Sequence, residues 1–364
     1  MVRAGGDRTY IYGVIPTSEV ISFDCATVGG RDDRAHTVSH RDIAAVVSAC
    51  PSTNYAALSR DLLVRELARH QQVVEQVLER FPVLPVKFGT AVDGENTVRS
   101  VLRLGYNDFR HALDSLKDKV QVELVATWEL ASLLQDVALE EPIAELKKRI
   151  GNDPSPASIR DRVRLGEMVK RSLDRRREEY ERAALQRLAP CSLEIRRNPL
   201  FEDGFVMNLA VLLEKGRQDE FDRGLQVLDQ ELGGRLTFRR VGPLPPYNFS
   251  IVEIRLVSPD GIDRARDLLG IGRSASVREI KKAYHQLARR SHPDTRPDRG
   301  DGGSGKLFAE IKEATSLLLS CCQAQLGYQR NGSPRAEEQR CSFEPAAIKE
   351  TVLISIGPAG GDVR

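Results

Sequence analysis

The side chains best suited to a chemical role lie along one short basic stretch of the chain. Residues 277–291 hold five Lys or Arg and one acidic residue, Glu279, which gives the segment a local charge of about +4. Apolar residues such as Ile280 and Leu287 recur at helical spacing and predict one buried face. The opposite face then carries Arg278, Lys281, Lys282, His285 and Arg289. Such a face is suited to an electrostatic partner.

The two ends of this predicted helix are also marked. Ser276 and Glu279 have the spacing of a capping box at its start. Pro293 ends the helix and holds His292 and Asp294 at an exposed corner. The cationic face therefore leads in register to His292-Pro293-Asp294, which makes these three residues the strongest candidate site.

Other candidate chemistries fail on residue type or spacing. Gly300, Gly305 and Lys306 fit a phosphate-binding loop, but Leu307 replaces the hydroxyl residue that would hold magnesium. The six cysteines form no C-x-x-C pair, so we expect reduced thiols and no metal site. His70, on a mostly apolar helix, is typical of a packed histidine. The sequence predicts no cofactor and no enzymatic activity.

Composition limits the partners. The 364 residues predict two or three domains, and 54 Lys plus Arg against 52 Asp plus Glu leave a net charge of +2. This balance provides no global basic field, so we expect no nucleic-acid partner. No apolar run approaches the roughly 20 residues that span a bilayer. The N-terminus lacks the pattern of an export signal, and we expect a cytoplasmic protein without a membrane partner.

The elements that precede the basic helix predict an α+β fold. Strands are indicated over residues 10–15 and 43–47, and helices over 58–81 and 95–116, with an extended segment at 83–89. These elements define a first domain over residues 7–117. A second α+β domain is predicted over 118–257, with strands at 120–125, 205–213 and 236–241 and helices within 145–188 and at 219–232. The two α+β domains are expected to be partly ferredoxin-like.

The C-terminal third is predicted to be helical. Strand signals end near residue 257, and a second amphipathic helix over 306–321 can pair with the basic helix. A small all-α helical hairpin domain is therefore expected over residues 262–322. Residues 323–364 are predicted as linker and tail, in which 351–356 are suited to one strand.

The motifs of residues 262–322 resemble the J domain of DnaJ-type co-chaperones. The matching residues are Leu268-Leu269-Gly270-Ile271, Glu279-Ile280-Lys281-Lys282-Ala283-Tyr284, His292-Pro293-Asp294, Phe308, Ile311 and Ala314. Ala265, Arg266 and Thr315 stand where that family usually has other residues, and no basic final helix follows Cys322. The resemblance implies that the basic face docks on a DnaK-type chaperone and that His292-Pro293-Asp294 stimulates its ATP hydrolysis.

A second resemblance covers residues 8–256. Tyr10-Ile11-Tyr12-Gly13-Val14, Asp42 to Ser48, Val83 to Thr90 and Val241 to Phe249 look like segments of the gas vesicle GvpF/GvpL family. In physical terms, Gly89 and Gly242 permit backbone turns that side chains would block.

This second resemblance implies an assembly or minor structural protein of gas vesicles. Such a protein would bind the hydrophobic shell protein, GvpA, and other gas vesicle proteins before they join the growing wall. Two alternatives stay open. The chain could be a general J-domain co-chaperone with a different client, or a purely structural shell component whose J-like helices only pack or dimerise.

Overall fold

The structure is a computed structural model, and it describes residues 8–30, 34–51, 55–151, 156–257, 259–291, 303–326, 337–344, 347 and 352–358. The chain folds into two compact units that are each built from non-consecutive segments. The first unit comprises residues 1–73, 86–111 and 251–364, and the second comprises 74–85 and 112–250. The domain boundaries read from the sequence divide the chain consecutively, and they stay predictions.

The N-terminal elements form an antiparallel sheet with helices. In chain order they are β1 (Arg8–Ile15), β2 (Ser22–Asp24), β3 (Arg34–His40), β4 (Ile43–Cys50), α1 (Arg60–Leu78), β5 (Leu84–Pro85), β6 (Ala91–Val92), α2 (Gly94–Leu104) and α3 (Tyr106–Leu116). Within the first unit the strand order is β2–β3–β4–β1, and β6 also pairs with β1. Strands β1 and β4 are buried at successive positions, so both of their faces are covered.

One sequence expectation for this segment is corrected, and two of its strands were not predicted. Between the first two predicted strands the chain also forms β2 and β3. The helix predicted over 95–116 is two helices, because α2 ends at Leu104 and Gly105 caps it.

The second unit has the topology of a ferredoxin-like fold. Its elements are β7 (Lys119–Thr127), α4 (Leu130–Ala138), α5 (Glu141–Ile150), α6 (Pro156–Leu188), β8 (Glu194–Arg197), β9 (Phe205–Glu214), α7 (Gln218–Glu231) and β10 (Thr237–Leu244). The spatial order is β10–β7–β9–β8, and every neighbouring pair is antiparallel. Alternate residues of β7, such as Val122 and Leu124, enter a core shared with Phe221 and Leu228 of α7. The prediction of an α+β fold is confirmed, and the ferredoxin-like topology lies in this second unit.

The C-terminal part of the first unit contains the helical domain. Its elements are β11 (Ile251–Leu256), α8 (Pro259–Leu269), β12 (Ser274–Ser276), α9 (Val277–Ser291), α10 (Gly303–Leu326), β13 (Arg340–Ser342) and β14 (Val352–Gly357). The helices enclose a core that includes Ile262, Val277, Ile280 and Leu318. Strand β11 pairs with β14 from Ile251↔Gly357 to Leu256↔Val352. The segment predicted as linker and tail thus contains β13 and β14.

The two glycines singled out in the sequence have the backbone conformations that they were expected to permit. Gly89 has φ +85°, and its N–H donates to the hydroxyl of Tyr10 at 2.9 Å. Gly242 has φ +135°, and a Cβ there would lie 2.9 Å from the carbonyl oxygen of Gln121. Both positions disfavour any residue with a side chain.

None of the helices in the described ranges is both long and apolar enough to cross a bilayer.

Candidate functional site

The basic helix α9 has the bounds and the N-terminal cap that its sequence predicts. It runs from Val277 to Ser291. The N–H of Glu279 donates to Ser276 Oγ at 3.2 Å, and the N–H of Ser276 donates to Glu279 Oε2 at 2.8 Å. These bonds are the two halves of a capping box. The Ser276 N–H, followed by the Arg340 guanidinium, holds the pKa of the Glu279 carboxyl below its usual range.

The structure places the predicted cationic residues of α9 opposite the helical core. Val277 and Ile280 are fully buried against α8 and α10. On the other face, Lys281 is half-buried. The other predicted cationic residues are exposed: Arg278, Lys282, His285 and Arg289. His292, Pro293 and Asp294 lie outside the described residues, so their predicted role stays a prediction.

Residues 337–343, here called the acidic strap, pack against the start of this face. Glu337 forms an ion pair with Lys281 at 2.5 Å, and Glu338 forms one with Arg278 at 3.3 Å. Arg340 pairs in turn with Glu279 at 3.1 Å. The strap therefore presents two carboxylates and a guanidinium to the complementary charges of α9.

The acidic strap is held by backbone and core contacts as well as by charge. Its strand β13 pairs with β12 in the register Ser274↔Ser342, Ala275↔Cys341 and Ser276↔Arg340. The ring of Phe343 is 1% exposed, within the helical core. The N–H of Ser342 donates to the side chain of Gln325 at 3.0 Å. These contacts fix the strap beside the N-terminus of α9.

One expectation about the cysteines is wrong for two of the six. Cys322, near the end of α10, forms a disulfide with Cys341 of the strap. Cys25, Cys50, Cys191 and Cys321 are free thiols, as expected. Sequence spacing misses the pair because the two residues share neither a motif nor a helix face, and only the β12–β13 register brings Cys341 to α10.

The departures from the usual J-domain pattern are accommodated in the helical core. The side chain of Thr315 is buried and its hydroxyl donates to the carbonyl of Ile311 at 2.7 Å. Arg266 is 8% exposed, and its guanidinium pairs with Asp263 at 2.8 Å. Burying a charged group is costly unless it is paired, and this ion pair provides the partner. The substitutions are thus compatible with three packed helices.

A buried polar cluster lies in the N-terminal sheet. The hydroxyl of Tyr10 accepts from the Gly89 N–H and shares a hydrogen bond of 3.0 Å with Nδ1 of His70, while Tyr12 accepts from the Val28 N–H and bonds to Ser48. Burial lowers the pKa of His70 to about 4 and raises that of Tyr12 to about 12. The imidazole is therefore neutral, and this cluster maintains the fold.

The apolar stripe of α1 divides into two parts. Its later residues, such as Val73, are fully buried, whereas Leu62, Leu63, Val64 and Leu67 are exposed. These four exposed residues of the first unit are here called the α1 apolar patch. Sequence periodicity predicts the helix correctly but cannot tell which half is covered by the rest of the fold.

Among the described residues, the side chains that could bind a metal ion are dispersed. The described residues bring no three His, Cys, Asp or Glu side chains together in a cluster that could hold a metal ion. A groove of about 280 Å³ in the first unit contains Lys87, Arg255 and Glu253, but both cations pair with that carboxylate, at 2.7 and 3.0 Å.

The architecture defines an α+β protein that carries a helical J-type module with a cationic surface helix. Residues 267–322 match the DnaJ domain. Residues 8–250, two thirds of the chain, match the family described as gas vesicle synthesis protein GvpL/GvpF. The chain belongs to this family, and both resemblances read from the sequence are confirmed.

Individual relatives agree with this assignment. Gas vesicle protein F of Haloferax mediterranei is 27% identical over 251 residues, which cover 68% of this chain and 95% of the relative. Gas vesicle protein L1 of Halobacterium salinarum is 23% identical and covers 68% of this chain and 92% of its own length. The crystal structure of GvpF from Anabaena aligns with a TM-score of 0.54 at 20% identity, over 66% of this chain and 97% of that protein. The chain is therefore a gas vesicle protein with an additional J domain.

Proposed function

We propose that this chain is a non-enzymatic assembly factor that binds the hydrophobic gas vesicle shell protein, GvpA-like, and recruits a DnaK-type chaperone to it in the cytoplasm. One observation carries the proposal: a J domain with a cationic surface helix is part of the same chain as a GvpL/GvpF fold. The front of the chain would hold the client and other gas vesicle proteins, and the J domain would bring the machinery that folds or releases it. No cofactor, nucleic acid or membrane is part of this function.

The cationic face of α9 is the proposed docking surface for the chaperone. Lys282, His285 and Arg289 are exposed there, while Ile280 on the other side anchors the helix in the core. Rim charges of this kind act mainly on the association rate and on the response to salt. Docking should therefore weaken steeply with ionic strength.

The α1 apolar patch is the proposed contact surface for the shell protein. Contiguous exposed apolar side chains mark sites that bind other apolar surfaces. A shell protein that will be packed into a wall exposes apolar faces and strand edges before assembly, and these invite wrong association. Covering such a face with Leu63, Val64 and Leu67 would delay aggregation.

The chaperone half is tested with His292→Gln and with the double variant K282A/R289A. Both should reduce the stimulation of ATP hydrolysis by a purified DnaK-type chaperone in single-turnover measurements, and both should lower gas vesicle yield in cells. The control is R164A/K170A, which removes two exposed cations from α6. If His292→Gln leaves ATPase stimulation and vesicle yield unchanged, the chaperone half is wrong.

The client half is tested with V64S/L67S. Val64 and Leu67 are 59% and 46% exposed, so the substitutions should change stability little. The matched control is I159S/V163S on α6, where the side chains are 59% and 60% exposed. When shell protein is co-expressed with each variant, V64S/L67S should lower its soluble fraction and the control should not. Equal soluble fractions would remove the patch from the proposal.

Two measurements separate the alternatives. A general co-chaperone would rescue a J-protein deficiency without any preference for shell protein. A purely structural component would be found in purified intact vesicles at a fixed ratio to the shell protein, whereas an assembly factor would be absent or substoichiometric.

A further inference from the structure

The acidic strap covers part of the same cationic face that is proposed to bind the chaperone. Glu337 forms an ion pair with Lys281, and Glu338 forms one with Arg278; both cations lie in the first turns of α9. Lys282, His285 and Arg289 remain exposed on the same helix. The strap thus pairs with the N-terminal part of the cationic face, while the side chains of its C-terminal part are exposed.

The two ion pairs are not equivalent. The side chains of Lys281 and Glu337 are 41% and 30% exposed, whereas those of Arg278 and Glu338 are 74% and 65% exposed. Charges in the less exposed pair are less screened by water and salt. The Lys281–Glu337 pair is also the shorter one, at 2.5 Å. Glu337 is therefore the main carboxylate through which the strap acts.

The strap is held in place by contacts other than these ion pairs. The β12–β13 pairing and the buried ring of Phe343 keep residues 340–343 beside α9. Arg340 adds an ion pair with Glu279, which leaves the cations of α9 to Glu337 and Glu338. Because the strap is tethered beside α9, its carboxylates have a high effective concentration at Lys281 and Arg278. They therefore compete with any acidic partner for these two cations. An acidic partner must displace these carboxylates in order to reach Lys281 and Arg278.

We propose that the acidic strap is a built-in competitor that limits docking of an acidic chaperone surface on α9. This inference rests on the proposed function, since it concerns regulation of the proposed docking site. The strap sets the affinity of the J domain below the value that its cationic face would otherwise have. Any change that removes the charge of Glu337 strengthens docking.

The test compares full-length variants in binding to a purified DnaK-type chaperone in the presence of ATP. E337Q should lower Kd by roughly twofold to fivefold and E338Q by less than about twofold, with the difference shrinking at high salt. The matched control is E178Q/E179Q, which removes two adjacent exposed carboxylates from α6. An unchanged or higher Kd for E337Q would overturn the proposal.

A second measurement reports the strap without the chaperone. Amine labelling followed by mass spectrometry compares Lys281 with its exposed neighbour Lys282 in the same sample. E337Q should raise the ratio of Lys281 to Lys282 labelling, and E178Q/E179Q should not. A raised ratio without any chaperone binding would refute the proposed docking and, with it, this regulation. Binding with an unchanged ratio and an unchanged Kd would refute the strap alone and leave the docking intact.

Discussion

The buried histidine of the N-terminal sheet should make the stability of the protein depend on pH. His70 is 3% exposed, its Nδ1 is hydrogen-bonded to the hydroxyl of Tyr10, and burial lowers its pKa from 6.5 to about 4. The unfolded chain therefore binds a proton at a pH where the folded chain does not. The stabilisation is fully present above pH 6.5 and is lost as the pH falls from about 6.5 to about 4.

The size of the effect follows from the two pKa values. Each unit of pKa difference corresponds to about 1.4 kcal/mol. Between about pH 8 and about pH 5, the linkage relation gives a loss of about 2 kcal/mol in the free energy of unfolding. His70→Gln removes the titrating group, so the difference in unfolding free energy between wild type and variant should shrink by that amount over the same interval.

Urea unfolding measured by far-ultraviolet circular dichroism provides the assay. The single tryptophan, Trp128, lies in the second unit, so its fluorescence would not report on His70. His111→Gln is the control, because His111 is exposed. A difference between wild type and His70→Gln that stays constant from about pH 8 to about pH 5 would refute the reasoning.

Three further substitutions test separate parts of the fold by thermal or urea unfolding. Ser276→Ala should cost about 1 kcal/mol, because it removes the hydroxyl that caps α9, and it should lower the amide protection of the first turn in hydrogen exchange. Phe343→Ala should cost about 3–5 kcal/mol by opening a cavity in the helical core, and an effect below about 1 kcal/mol would place the ring outside that core. Gly242→Ala should cost more than about 1 kcal/mol, since a Cβ would meet Gln121, whereas Gly216→Ala, with open space around it, should cost less.

Local signals in the sequence are sufficient for much of this structure. The bounds of α9 and its capping box can be read from a dozen neighbouring residues, because a helix and its cap depend on contacts three or four positions apart. The alternation in β7 and the apolar run in β9 likewise predict the central strands of the second unit.

Features that depend on distant residues could not be predicted in the same way. The acidic strap reaches α9 through a register between β12 and β13, which are separated by the whole of α9 and α10. The sequence offers one signal for the strap, which is that its charges are opposite to those at the start of α9. The three ion pairs are Glu337 with Lys281, Glu338 with Arg278 and Arg340 with Glu279. The exposure of Leu63 and Leu67 could not be predicted for a similar reason. Helical periodicity shows which residues share a face, but not whether another element packs against that face.

The pairing of β11 with β14 determines how the J domain is joined to the rest of the first unit. The chain enters the helical domain from Leu256 and returns at Val352, and these two residues are partners in the ladder. The domain is therefore an insertion with adjoining ends, attached at two points, rather than an appendage on a single flexible linker. Two attachment points restrict rotation, so a partner bound to the J domain would be held in a limited set of positions. Adjoining ends also mean that a short loop between β11 and β14 could replace the whole insertion and leave the strand ladder closed.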